Sequence, residues 1–293
     1  MRFKVASCVF CFTTLFAGFP GLANAQGKVT WVVEKFEPYY ILEGELKGQG
    51  AADYLIALLK KEMPDMKHST EYMPILRIRD AFMARERAVS IAFLKDPTLA
   101  DYAQYSAATM LVPALEITLR REQWEVQLKS APSVSAAEVM RQGLVIGVAD
   151  GRHYGEKLDK LIAEKRGLSK QLYARVGNHY RGLAEMVATK NIDATIGYSA
   201  ELRYAQKLHP ELANLVSVPL IEGAGPLYAY AAIPKGEWGD KFRVRINKAI
   251  TKLRGTPEYK DAMTRWFGST SAWEAEYRNK FQTGLMDAQN AGM

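Results

Sequence analysis

The chain has 293 residues, of which 48% are hydrophobic and 24% are charged, and its formal net charge at pH 7 is +7. This size and composition are ordinary for a folded globular protein with one large domain or two modest ones. The basic residues are scattered along the chain. The excess charge therefore indicates general solubility or a preference for anionic partners, and it gives no support for nucleic acid as a partner.

The N-terminal segment has the three-part pattern of a secretory signal peptide. Arg2 and Lys4 precede an apolar run from Val5 to Phe19, and Ala23-Asn24-Ala25 offers a cleavage site before Gln26. The run is shorter than the roughly 20 apolar residues that a membrane-spanning helix needs. We therefore expect cleavage after residue 25 and a periplasmic location, with an uncleaved anchor as the alternative.

Both cysteines of the chain, Cys8 and Cys11, lie inside this segment. Their removal would leave a mature chain without a disulfide framework and without a thiol nucleophile. Val5-Ala6-Ser7-Cys8 looks like a lipoprotein motif, but it precedes the apolar run instead of following it. We therefore reject a lipid anchor.

Strand and helix patterns alternate along the rest of the chain. Short apolar runs predict strands, and apolar residues at helical spacing predict helices. The predicted strands cover residues 29–33, 67–73, 89–93, 114–120, 144–148, 172–176, 192–196, 215–219 and 227–233. The predicted helices cover residues 52–62, 76–84, 135–142, 154–166, 180–190, 199–208, 240–254, 256–267 and 272–288. This alternation predicts an α/β fold with largely parallel sheets.

Five segments, taken in this order, resemble solute-binding protein family 3, the periplasmic proteins that serve polar amino-acid ABC transporters. They are Phe36 to Tyr40, Gly44 to Asp53, Val145 to Gly151, Asn191 to Ala194, and Tyr259 to Gly268 with its final Trp-Phe-Gly. The N-terminal half is most similar to a less-studied branch of that family.

The resemblance implies a two-lobed type II periplasmic binding protein. Lobe 1 would contain residues 26–115 and 225–293, including the C-terminal helices, and lobe 2 would contain residues 116–224. Two strands, near Ala114–Leu119 and Leu227–Ile233, would cross between the lobes as a hinge. A ligand would hold the cleft shut because it binds the closed form better than the open form.

The candidate binding residues lie in segments that would border this cleft. At Gly147 to Tyr154 a strand ends and a helix begins, so backbone N–H groups and the helix dipole would favour an oxyanion there. Arg152 would add a guanidinium fork, although a plain turn with an exposed arginine is the alternative. The full set of candidates is Phe36, Tyr39, Tyr40, Phe93, Lys95, Arg152, His153, Tyr154, His179, Tyr180 and Tyr198.

Several of these candidates have simpler structural interpretations. The aromatic residues that follow the first strand could belong to the core, as we expect for Trp31. The segment from Asn178 to Arg181 could be a capped, solvated helix start. The four histidines lack the spacing of metal ligands, so we expect neither a metal nor another cofactor.

Two positions depart from the pattern of the amino-acid binders in this family. Leu99 stands where we place the arginine that clamps the ligand carboxylate, and Tyr198 stands where we place the aspartate that binds the amine. A standard amino acid would therefore leave buried charges unpaired. We expect a small polar or anionic solute instead. Arg77, Arg79 or Lys95 could supply a different cation, but a solvated helix face is the simpler role for the two arginines.

The expected function is the capture of such a solute by a monomeric protein that delivers it to an inner-membrane ABC permease. One alternative is a ligand-sensing subunit for a membrane receptor or kinase. Another is an enzyme similar to cyclohexadienyl dehydratases, with Glu34, Asp96 or Asp150 as acid or base. We do not expect an enzyme, because these carboxylates have no evident partner and the sequence has no Gly-x-Ser-x-Gly elbow.

Overall fold

A computed structural model describes residues 27–176, 180–223, 225, 227–285 and 287. The expected signal peptide and the candidate His179 lie outside these residues. Within the described ranges, none of the helices combines the length and apolar character that a membrane span requires.

The described residues form ten strands. In chain order they are Lys28–Val33 (β1), Lys67–Tyr72 (β2), Ala88–Phe93 (β3), Ala103–Val112 (β4), Glu116–Arg120 (β5), Ile146–Asp150 (β6), Leu172–Val176 (β7), Ala194–Gly197 (β8), Leu215–Pro219 (β9) and Leu227–Pro234 (β10). β4 is not among the predicted strands, because Gln104, Ser106 and Thr109 interrupt its apolar run.

The strands form two five-stranded sheets, with the orders β2-β1-β3-β10-β4 and β7-β6-β8-β5-β9. In the first sheet β1 is parallel to β2 and β3, whereas β10 is antiparallel to β3 and β4. In the second sheet β6 is parallel to β7 and β8, whereas β5 is antiparallel to β8 and β9. The expectation of largely parallel sheets thus holds for only half of the strand pairs. The reason is that β5 and β10 run antiparallel to their neighbours. Each of these two strands is the first one after the chain has crossed from the other sheet.

The helices cover the faces of these sheets. In chain order they are Ala51–Glu62 (α1), Ile75–Met83 (α2), Ala136–Arg141 (α3), Glu156–Lys165 (α4), Tyr180–Ala188 (α5), Ser199–Leu208 (α6), Glu237–Leu253 (α7), Pro257–Phe267 (α8) and Ser271–Glu276 (α9). A short π-helical turn, Tyr277–Phe281, continues α9.

The chain passes from the first sheet to the second after β4 and returns after β9. The Leu115 N–H donates to the Gly223 carbonyl at 3.3 Å, and the Leu220 N–H donates to the Leu115 carbonyl at 3.2 Å. The two passages therefore run side by side between two lobes. Lobe 1 contains the first sheet and lobe 2 contains the second, while the residue limits assigned to the lobes from the sequence stay a prediction.

The C-terminal helices pack on lobe 1, as predicted. The buried Trp273 indole donates to the Leu111 carbonyl of β4 at 2.9 Å, and the Tyr259 hydroxyl donates to the Thr109 carbonyl at 2.7 Å. These bonds satisfy polar groups inside the core and join α8 and α9 to the first sheet. Trp31 is fully buried in the same core, as expected.

The start of α1 holds the aromatic loop at residues 36–40 in position. The Asp53 carboxylate accepts the N–H groups of Ile41 at 2.9 Å and Gly50 at 3.0 Å. Gly50 is required here, because a Cβ atom would lie 2.2 Å from the Tyr39 carbonyl oxygen. This close approach fixes Phe36 and Tyr39 at the edge of lobe 1 that faces lobe 2.

Candidate functional site

The candidate site lies between the lobes, where segments that follow several strands face one another. It contains a cavity of about 60 Å³ with mostly apolar walls. Lobe 1 contributes Phe36, Tyr39, Ile75 and Phe93 to these walls, and lobe 2 contributes Gly151, Arg152, His153 and Tyr198. Closure of the two lobes therefore forms this cavity.

Arg152 and Glu201 form a buried ion pair beside the cavity. Nη1 of Arg152 donates to Oε1 of Glu201 at 2.9 Å, and Nη2 donates to Oε2 at 2.8 Å. The exposed fractions of the two side chains are 6% and 1%. Burial disfavours the charge on Arg152, but the Glu201 carboxylate outweighs this effect and raises the pKa of the guanidinium. The pair is a two-pronged, charge-assisted contact of the strong kind.

Three aromatic rings surround the same guanidinium. The Arg152 Cζ atom lies 4.8 Å from the ring centroid of Phe36, 5.2 Å from that of Tyr154 and 5.4 Å from that of Tyr198. These distances are in the range of cation–π attraction. Burial raises the pKa of Tyr154 and of Tyr198 to about 12, so both hydroxyls are neutral at physiological pH. Phe36 belongs to lobe 1 and the tyrosines to lobe 2, so Arg152 contacts both lobes.

The start of α6 determines where the Glu201 carboxylate lies. Its Oε2 accepts the Tyr198 N–H at 2.9 Å, which is the backward bond of a helix capping box. Gly197 leaves room for this arrangement, because a Cβ atom there would lie 2.8 Å from Oε2 and 2.5 Å from the Tyr180 ring. Sequence reasoning missed Glu201. An acidic residue in the first turn of a predicted helix was the available signal, but it did not indicate a partner 49 positions away.

His153 links the two lobes through carboxylates. Its Nε2 lies 2.9 Å from Oδ2 of Asp96 in lobe 1, and its Nδ1 lies 3.3 Å from Oδ2 of Asp159 in lobe 2. Because each ring nitrogen lies close to a carboxylate oxygen, the doubly protonated, cationic imidazole is favoured. The hydrogen bond to Asp159 raises the pKa of His153, and Asp96 adds to this effect against the opposing effect of burial.

Asp96 is fully buried, and Arg79 also holds it, with 3.2 Å between Nη1 and Oδ2. Burial favours the neutral form of Asp96. Hydrogen bonds from Thr98 and the charges of His153 and Arg79 outweigh burial and hold the pKa of this carboxyl below its usual range. Asp96 is therefore ionised and provides the lobe 1 half of an ionic contact across the cleft.

A second contact between the lobes joins α6 to the end of α8. Nη2 of Arg203 donates to the carbonyls of Trp266 at 3.3 Å and Phe267 at 3.4 Å, and the Tyr204 ring packs edge-on against Trp266. The rings of Tyr39, Tyr198 and Phe267 contact one another across the lobes, with centroids 4.6 to 6.3 Å apart. The lobes thus touch at several points around the cavity. In this structure the cleft between the two lobes is in a closed conformation.

The structure brings most of the predicted residues to this site. Phe36, Tyr39, Phe93, Arg152, His153 and Tyr198 line the cavity. Tyr154 lies against Arg152, and its hydroxyl oxygen accepts the Ala149 N–H at 2.8 Å. Tyr180 lines a larger cavity of about 560 Å³ between the lobes, and its hydroxyl lies 2.5 Å from Oγ1 of Thr118.

The remaining predicted residues lie elsewhere. Tyr40 is fully buried in the core, and the cavity at Arg152 does not include it. Lys95 lines a separate cavity on lobe 1, where its ammonium lies 5.0 Å from the ring centroid of Tyr230. Of the alternative cations, Arg77 pairs with Glu86 at the surface, whereas Arg79 reaches Asp96.

The three carboxylates considered for acid or base chemistry lie in different surroundings. Asp96 is ionised between two cations, Asp150 pairs with Arg166 at the surface, and Glu34 is buried in lobe 1. Among the described residues, no three His, Cys, Asp or Glu side chains are grouped so that they could hold a metal ion.

Neither a protein-family profile nor a curated protein sequence matches this chain. Solved structures are similar in fold. A histidine kinase sensor domain with similarity to periplasmic binding proteins is 17% identical with a TM-score of 0.65, over 83% of this chain and 96% of that one. A structure solved in work on glutathione import in Gram-positive bacteria via the cystine ABC importer of Streptococcus mutans is 16% identical with a TM-score of 0.64. The match covers 83% of this chain and 96% of that one. A periplasmic binding protein of Salmonella typhimurium with high arginine specificity is 13% identical with a TM-score of 0.60, over 82% and 99%.

At these identities the likeness shows the fold. The chain has the two-lobed α/β fold of periplasmic binding proteins. The predicted resemblance to solute-binding protein family 3 is confirmed as a resemblance in fold.

Proposed function

We propose that this protein captures a small polar solute in the cleft between its two lobes. The observation that carries the proposal is the cavity at Arg152, which side chains of both lobes line beside contacts that join the lobes. A pocket with mainly apolar walls and a few placed polar groups is typical of small-molecule sites. A solute in this position would contact both lobes at once and so favour the closed form.

Arg152 is the group that we expect to hold a polar atom of the solute. A guanidinium has five N–H donors, and Glu201 accepts two of them. The aromatic rings around Arg152 hold it in place, and Phe36 and Tyr198 can also pack against the rest of the solute.

The size of the cavity limits the solute. At about 30 Å³ of liquid volume for each water molecule, a cavity of about 60 Å³ accommodates about two waters. The described closed conformation therefore suits a solute of only a few non-hydrogen atoms. A larger solute would hold the lobes further apart and shift the contact between Asp96 and His153.

We propose a periplasmic location and an inner-membrane ABC permease as partner. The signal-peptide pattern of residues 1–25 supports export, and the fold similarity to substrate-binding proteins of ABC transporters supports the partner. The proposed protein acts as a monomer, without a cofactor and without catalysis.

Thermal-shift screening of the chain from Gln26 against a library of small polar solutes tests the binding role. Ligand at 100 times its dissociation constant should stabilise the protein by about 2.7 kcal/mol. The shift should shrink in Arg152→Lys, which keeps the charge but loses the planar fork. It should persist in Arg166→Lys, a matched change at a surface pair. If no solute in a broad library raises the melting temperature, the proposal fails.

A sensing role is the second candidate, because a kinase sensor domain has the same fold. Photo-crosslinking in the envelope distinguishes the two roles. Capture of a permease supports transport, and capture of a receptor or kinase supports sensing. Turnover of prephenate or arogenate by the purified protein would show an enzyme instead.

A further inference from the structure

Three pairs of oppositely charged side chains lie around the cavity among the described residues. Each pair has its nitrogen and oxygen atoms between 2.8 and 3.3 Å apart. The pairs are Arg152 with Glu201, Arg79 with Asp96, and His153 with Asp159. With the imidazole protonated, the three pairs sum to no net charge.

The Glu201 carboxylate balances Arg152 without filling the solute cavity. Arg152 lines the small cavity, whereas Glu201 lines the larger cavity on the other side. Arg152 therefore borders the small cavity while its guanidinium pairs with Glu201. Two of its five N–H donors are used, and the others can donate to a carbonyl, amide or hydroxyl oxygen.

We propose that Glu201 determines the charge specificity of the cleft, because it neutralises Arg152 and so restricts the site to solutes without net charge. This inference rests on the proposed function and narrows it, since the sequence had allowed an anionic solute. Of the charged side chains that the structure describes in these pairs, none is left as a free counter-charge for a charged solute, and burying an unpaired charge is strongly unfavourable. A site can thus reject a wrong ligand by leaving its charge unpaired.

Three planar probes of four non-hydrogen atoms each test this inference: acetate, acetamide and acetamidinium. They have nearly the same shape and carry charges of −1, 0 and +1. Binding to wild type, Glu201→Gln and Glu164→Gln is measured by calorimetry and thermal shift at constant ionic strength. Glu164 is exposed on α4, so its variant has the same change in total charge at a distant position.

We expect wild type and Glu164→Gln to prefer acetamide to both ions. In Glu201→Gln the cleft gains one net positive charge, so acetate should bind at least tenfold more tightly than to wild type, while acetamide binding stays within threefold. Equal acetate affinity in wild type and Glu201→Gln, or no acetate binding to either, overturns the proposal.

Glu201→Gln leaves Arg152 buried without a charged partner, so its folding needs its own readout. If the variant is unfolded in buffer, it is refolded with sodium acetate, acetamide or sodium chloride at matched concentration. Rescue by acetate alone supports the proposal, and equal failure with all three overturns it. If Glu201→Gln gains acetate binding but no library solute stabilises wild type, the solute-binding function fails and the charge assignment stands.

Discussion

Removing one member of the Arg152–Glu201 pair should destabilise the protein much more than removing both. The side chains are 6% and 1% exposed, and their N–O distances are 2.8 and 2.9 Å. Arg152→Met leaves a buried carboxylate, and Glu201→Leu leaves a buried guanidinium. The double variant, with both substitutions, leaves neither of these buried charges.

The magnitude follows from the geometry of the pair. Two unit charges about 4 Å apart attract by about 4 kcal/mol at an effective dielectric constant of about 20. Breaking a buried pair from one side costs about 3–5 kcal/mol, whereas replacing both members with apolar side chains is often nearly neutral. At about 2–4 °C per kcal/mol, each single variant should lose roughly 6–20 °C in melting temperature.

Urea denaturation of wild type, the two single variants and the double variant gives the four free energies of unfolding that a double-mutant cycle needs. We expect the double variant to lie within about 2 kcal/mol of wild type and the coupling energy to exceed about 2 kcal/mol. Losses below about 1 kcal/mol in both single variants, or additive losses in the double variant, would refute the buried pair as described.

Three further predictions concern the lobes and their contacts. Below pH 6.5, the usual pKa of histidine, the contribution of protonated His153 to stability should be complete, and it should be lost as the pH rises through the raised pKa of the folded state. In melting curves from pH 5.5 to 9, the His153→Asn variant should lack this decline in melting temperature. A decline equal to that of wild type contradicts the ionic contact. Gly197→Ala should lower the free energy of unfolding by about 1–3 kcal/mol, because the new methyl group would lie 2.5 Å from the Tyr180 ring. An unchanged urea midpoint would show that the packing of Tyr180 against Gly197 is looser than described. Trp273→Ala should destabilise the protein by about 3–5 kcal/mol, since the indole is buried and bonded to Leu111, and a loss below 1 kcal/mol in the same assay would show that α9 is not docked on β4.

The order of strands and helices could be predicted from the sequence because local periodicity reflects local backbone geometry. The buried runs at β1 and β6 and the helical spacing in α1 are of this kind. β4 escaped prediction because polar residues interrupt its apolar run, and the partners of Gln104 and Thr109 lie far away in the sequence. The Thr109 hydroxyl, for example, donates to the Ile91 carbonyl at 2.5 Å.

The candidate site could be predicted in part for the same reason. Phe36, Arg152 and Tyr198 stand where a strand gives way to a loop or helix, and in an α/β fold such positions lie at the ligand cleft. The sequence alone thus indicated which segments border the cleft, and it placed Arg152 among the residues that line it.

The partners of these residues depend on how the two lobes pack. The carboxylate of Glu201 reaches Arg152, His153 of lobe 2 reaches Asp96 of lobe 1, and Lys95 lies at another cavity. These contacts join residues far apart in the chain, and side-chain directions at such distances follow from tertiary packing and not from local pattern. The sequence therefore determined the fold and the location of the cleft, whereas only the tertiary structure showed that its charges are paired.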